Sequence, residues 1–89
     1  MRVLIAEDEY CSRLNLIRQV KECIPFAPEE ILEAENGKEA WEIFLEKRPE
    51  LVLTDIRMPV LTGLELMEMI YKSQIPANVI IVSGFAEFE

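Results

Sequence analysis

Histidine is absent from the 89-residue chain. That removes imidazole acid–base catalysis, a phosphohistidine on this chain, and histidine ligation of a metal. Basic residues are few: nine Lys and Arg stand against seventeen Asp and Glu, for a net charge of −8. A segment with that balance is not expected to bind nucleic acid, which demands Lys and Arg against the phosphates. The acidic excess suits cations or basic partners instead. Only two cysteines occur, Cys11 and Cys23, and they form no Cys-x-x-Cys pair. Small stapled domains use more, so both are expected as free, helix-borne thiols in a reducing compartment. Glycine numbers three, and neither a GxxxxGKS/T phosphate loop nor a GxGxxG dinucleotide fingerprint is present. No apolar run approaches the roughly 20 residues that a membrane span needs. Acids at Glu7 and Asp8 come too early for a signal peptide. The expected setting is cytoplasmic, with no membrane segment.

What the chain does have is enough apolar material for a core. Hydrophobic residues make up 51% of it, which suits one small domain. The stretch from Leu51 to Pro59 organises the rest. Leu51-Val52-Leu53 is a short apolar run typical of a strand covered on both faces, and Asp55 stands where that strand stops. Further strands are expected at Arg2–Ala6, Glu30–Ala34 and Val79–Ser83. Helices are expected from about Tyr10 to Cys23, from Lys38 to Lys47, and from Gly63 to Lys72. Pro25, Pro28, Pro49 and Pro76 punctuate them, and Asn36-Gly37 reads as a turn. The apolar stripes predict core faces of Cys11, Leu14, Ile17 and Val20, then Ala40, Ile43 and Phe44, then Leu64, Met67, Ile70 and Tyr71. Trp41 is expected partly exposed, and Met58, Met67 and Met69 are expected to fill gaps in the core. Asp8 or Glu9 is placed to sit at the first helix's N-terminus.

Strands alternating with helices predict a parallel sheet with right-handed crossovers. All strand ends of such a sheet point one way, where open α/β sheets bind ligands. Glu7 and Asp8 after the first strand, Asp55 after the third and Ser83 at the end of the fourth therefore share a rim. Asp residues often serve only to shape a turn, and a strand-end Ser is ordinary. Three crowded carboxylates are a stronger signal. They repel, so one is protonated or a cation sits among them. An all-oxygen donor set favours a hard ion such as Mg²⁺, for which Mn²⁺ can substitute. An aspartate beside such an ion is a nucleophile for phosphoryl transfer, and a hydroxyl such as Ser83 can donate to a phosphoryl oxygen.

The residues that carry this chemistry resemble the receiver domain of bacterial two-component response regulators. The likeness lies in Val3–Glu9, Glu33–Ala40, Asp55-Ile56-Arg57-Met58-Pro59 with Gly63 and Leu64, and Val79–Gly84. The DxxMPxxxG element with the acidic pair is its most specific part. The resemblance implies a flavodoxin-like α/β fold, a parallel sheet of order 2-1-3-4-5 with helices on both faces. It implies that Asp55 accepts a phosphoryl group from a sensor histidine kinase, that Asp8 and Asp55 ligate Mg²⁺ with Glu7 assisting, and that the backbone carbonyl of Arg57 is a further ligand. Glu7 stands where many members carry Asp, and its longer arm suits a water-mediated contact. Ser83 takes the place of the switch hydroxyl. The domain is expected to span residues 1–89 and to be incomplete at its C-terminus. It would lack the fifth strand and fifth helix, with the phosphate-pairing lysine and the aromatic switch residue. The chain would be a signalling module rather than an enzyme. It would control an output domain not included here, expected to be a DNA-binding transcription regulator of AraC type from the tail 83–89. Self-association through the exposed edge of the fourth strand is a further expectation. Two alternatives stand beside this reading. One is an aspartate-nucleophile phosphatase of the haloacid-dehalogenase type, although Arg57 occupies the place of its usual second Asp. The other is an interaction module that takes no phosphate.

Overall fold

The short apolar runs form the strands, and the segments with helical periodicity lie between them. A computed structural model describes residues 1–23 and 30–82. The described elements are β1 (Arg2–Ala6), α1 (Tyr10–Cys23), β2 (Glu30–Ala34), α2 (Gly37–Lys47), β3 (Leu51–Asp55), α3 (Gly63–Ser73) and β4 (Asn78–Val82). The strands make one parallel sheet in the order β2-β1-β3-β4, a flavodoxin-like arrangement. Asn36 and Gly37 start α2 rather than forming a free turn: the Asn36 side chain accepts from the Glu39 N–H at 2.8 Å. Ser83, Pro25 and Pro28 lie outside the described residues.

Burial follows the pleat. Val3 and Ile5 of β1 point to the α1 side, where they meet Leu16 and Val20. Leu4 and Ala6 point to the other side, with Val52, Phe44, Leu66 and Ile70. β1 is central and covered on both faces, and Val3 through Ala6 are all 0% exposed. Among the described residues the outer edge of β4 is unpaired, and Ile80 on it is 49% exposed.

Two expected helix faces are corrected. On α1 the expected Val20 is buried and Ile17 packs beside it, but Arg13 and Leu16 complete the buried face, while Cys11 is exposed and Leu14 is 44% exposed. The apolar stripe misjudged the phase because a charged residue, Arg13, occupies the inward face. On α3 the buried side chains are Leu66 and Ile70, while Leu64, Met67 and Tyr71 face outward. That helix carries more apolar residues than one face can cover. Met58 is buried in the core, whereas Met67 is on the surface. The expected face of α2 holds, with Ala40 and Phe44 fully buried and Trp41 half-buried, stacked on Phe44 at 5.9 Å. Both cysteines are free and exposed on α1.

Candidate functional site

The site arises where two adjacent strands stop. β1 and β3 pair with Ala6 opposite Thr54, which brings Glu7 and Asp55 level at the carboxyl end of the sheet. Parallel neighbours lie about 4.8 Å apart, so carboxylates at this level must meet. One carboxylate oxygen each from Glu7, Asp8 and Asp55 falls within a 4.8 Å cluster. The three differ in setting: Glu7 is buried, Asp55 half-buried and Asp8 exposed.

The acids are held by their neighbours. The Glu7 N–H donates to the Ala34 carbonyl at 3.0 Å, extending the β1–β2 ladder past the strand end. The Glu7 carboxylate accepts the Glu9 N–H at 3.1 Å. The Glu9 carboxylate accepts from both the N–H and the hydroxyl of Ser12, so Glu9 caps α1 as an acid at a helix start should. Those two bonds hold the Glu9 carboxyl below its ordinary value. Asp55 accepts the Ile56 N–H at 2.8 Å. Burial pushes the Glu7 carboxyl up to about 7, and the charges of Asp55 and Asp8 add to it, against the opposing Glu9 N–H. A cluster that resists its third negative charge is one that a divalent cation would relieve.

The loop after β3 is shaped by close backbone approach. The Gly63 N–H donates to the Ile56 carbonyl at 2.8 Å, and a β-carbon on Gly63 would fall 2.0 Å from the Asp55 carbonyl oxygen. Glycine is therefore required for α3 to start this near the acid. Thr62 and Glu65 form a reciprocal capping box over the same helix end. Arg57 shares a shallow hollow of about 320 Å³ with Asp8, Met58, Pro59 and Thr62. It thus lies on the rim beside Asp8.

One residue of the site escaped the sequence reading. Arg13 is only 6% exposed, and its guanidinium lies behind the acids. It donates to the Glu7 carbonyl at 2.8 Å and to Glu33 at 3.0 Å. The available signal was an Arg at an inward helical position with acids at Glu33 and Glu35 ending the neighbouring strand.

A parallel α/β sheet with a cluster of carboxylates at its carboxyl edge places this chain among the open α/β modules that bind ligands at their strand ends. Residues 3–89 match the family model of the response regulator receiver domain, and the chain belongs to that family. It is 35% identical over 88 residues to the uncharacterized transcriptional regulatory protein YesN of Bacillus subtilis, covering 99% of this chain and 24% of that protein. It is 37% identical over 91 residues to the transcriptional regulatory protein HptR of Staphylococcus aureus, covering 99% of this chain and 34% of the relative. The chain thus spans about a quarter to a third of the curated relatives it matches. Among solved structures it resembles a two-component transcriptional regulator AraC from Clostridium phytofermentans (TM-score 0.82, 34% identity, 98% of this chain and 69% of that one). It also resembles the response regulator TrrA of Thermotoga maritima in complex with Mg²⁺ and BeF (TM-score 0.81, 31% identity, 99% and 73%). Among the described residues no helix is long and apolar enough to cross a membrane.

Proposed function

We propose that this chain is the phosphoacceptor module of a two-component transcription regulator, with Asp55 as the acceptor. The observation that carries the reading is the meeting of Glu7, Asp8 and Asp55 within 4.8 Å at the end of the sheet. An Asp55 carboxylate oxygen attacks the phosphorus of a phosphohistidine on a sensor kinase. The P–N bond breaks, the histidine leaves, and an aspartyl phosphate forms. Asp55 is half-buried, open enough for this attack, and its Ile56 N–H contact orients the carboxylate. The three carboxylates offer a hard-oxygen donor set that fits Mg²⁺ or Mn²⁺, with the carbonyl of Arg57 as a further donor on the rim. Such an ion neutralises the incoming phosphoryl charge when bound. The similar TrrA structure, which carries Mg²⁺ and BeF, supports that fit.

Ser83 is assigned the switch hydroxyl on the family pattern. The output domain is a DNA-binding regulator, a reading supported by the names of the relatives, and the setting is cytoplasmic. The phosphatase alternative is not favoured, because the family is the receiver family and Arg57 stands at the place of the second catalytic Asp.

The test is incubation with Mg²⁺ and a small phosphodonor, followed by intact-mass measurement. The parent should gain one phosphoryl group and Asp55→Asn none. A label kept by Asp55→Asn would move the acceptor elsewhere, and multiple turnover of donor would restore the phosphatase reading.

A further inference from the structure

Arg13 makes more contacts than burial of a helix face requires. Burying a guanidinium is costly unless its donors are satisfied. Here Nη1 donates to the carbonyl oxygen of Glu7 at 2.8 Å, and Nε donates to Glu33 at 3.0 Å. Nη2 lies 3.9 Å from Glu35, and the guanidinium carbon sits 5.5 Å from the centre of the Tyr10 ring. One side chain on α1 therefore joins the end of β1 to the end of β2.

The bond to the Glu7 carbonyl has a specific consequence. That carbonyl and the Asp8 N–H belong to one planar peptide unit. Fixing the carbonyl fixes the plane that links the two acids, and with it the point from which the Asp8 side chain departs. The opposite end of Glu7 is held by its N–H on Ala34. Asp8 itself is exposed, so its backbone supplies much of its order.

We propose that Arg13 is a positioning residue for the divalent-cation site, orienting Asp8 through the Glu7–Asp8 peptide. This rests on the metal reading proposed above. Groups that orient ligands from behind typically change metal affinity by about 10- to 100-fold when removed. The electrostatic effect of Arg13 runs the other way: removing a cation near the acids would tighten cation binding. Orientation and charge thus predict changes of opposite sign, which makes the proposal decidable.

The test is Mn²⁺ titration of the full chain by electron paramagnetic resonance, well below each variant's melting temperature, with circular dichroism confirming the fold. Arg13→Gln should weaken Mn²⁺ binding about tenfold. Arg13→Lys should restore part of it, since an ammonium can still donate to one oxygen. Glu33→Gln breaks the ion pair but leaves the carbonyl bond, so it should lower the melting temperature and leave Mn²⁺ affinity within about twofold. Unchanged or tighter Mn²⁺ binding in folded Arg13→Gln would overturn the role, and so would equal weakening in Glu33→Gln. A second readout needs no metal: the Glu9 amide, which donates to the Glu7 carboxylate at 3.1 Å, should exchange faster in Arg13→Gln and not in Glu33→Gln. A parent that binds no Mn²⁺ would overturn the metal reading, and unchanged exchange at Glu9 in Arg13→Gln would overturn the positioning role by itself.

Discussion

The two loops that present the acids are built by different means. The loop after β1 is held by polar side chains: Arg13 on the Glu7 carbonyl, Glu7 on the Glu9 N–H, and Glu9 on Ser12. The loop after β3 has its own polar contacts, at Asp55 and in the Thr62–Glu65 capping box, but its path depends on the lack of a side chain at one point. Gly63 lets the start of α3 press against the Asp55 carbonyl, and the Gly63 N–H reaches Ile56. Val60 in that second loop takes φ = 71°, a left-handed conformation that β-branched residues rarely adopt. A polar network has several contacts and loses them one at a time. A close backbone approach has no slack, because a single added carbon has nowhere to go.

The sharpest break in that comparison is Gly63→Ala. Its new β-carbon would meet the Asp55 carbonyl at 2.0 Å and also crowd the Thr54 hydroxyl at 3.1 Å. Backbone must move, so a loss of about 3 kcal/mol is expected. The measurement is the urea midpoint, with phosphodonor labelling of whatever remains folded. A loss below about 1 kcal/mol would show that the β3–α3 loop yields as easily as the polar one.

The first loop responds to pH instead. Its Glu7 carboxyl is pushed from an ordinary 4.5 up to about 7, chiefly by burial and then by Asp55. Between those values the folded state holds a proton that the unfolded chain has released. The unfolded state therefore binds fewer protons, and stability falls as pH rises. This contribution is full below about 4.5 and is lost by about 7. Glu9 and Glu50 are shifted downward, so their contributions are lost only as pH falls below about 4.5, outside this window. Metal-free chain should lose about 2 kcal/mol across the window, and Glu7→Gln should flatten the slope. Mg²⁺ at neutral pH should restore stability by binding only the folded state. Denaturation midpoints across the range, with and without Mg²⁺, check all three.

The smallest effect is a gain. Val60 is 77% exposed, so little packing is lost when it is replaced. Val60→Asn should stabilise by about 1 kcal/mol, since Asn tolerates the left-handed region. A melting temperature unchanged or lowered would mean that the loop derives something from valine that its exposure hides.

The sheet was legible in the sequence because β1, β3 and β4 are short apolar runs and β2, though it carries Glu33, lies between turn signals. The acid rim was legible for the same reason: parallel strands force their ends to one side, so Glu7, Asp8 and Asp55 had to converge. The helices were legible in extent, and in phase for α2 but only partly for α1 and α3. Counting apolar residues assumes that a buried face carries no charge, and Arg13 breaks that assumption on α1. Its burial depends on a carbonyl at the end of β1 and on Glu33, twenty residues away in sequence. On α3, Leu64, Met67 and Tyr71 were as apolar as Leu66 and Ile70, and only the position of the sheet chose among them. Local chemistry determined which segments are strands and that Asp55 ends the third of them. Tertiary structure alone decided that Glu7 would be buried beside Asp55, so that its proton is retained near neutrality. Desolvation and charge crowding belong to groups brought together from distant parts of the chain, and no local pattern contains them.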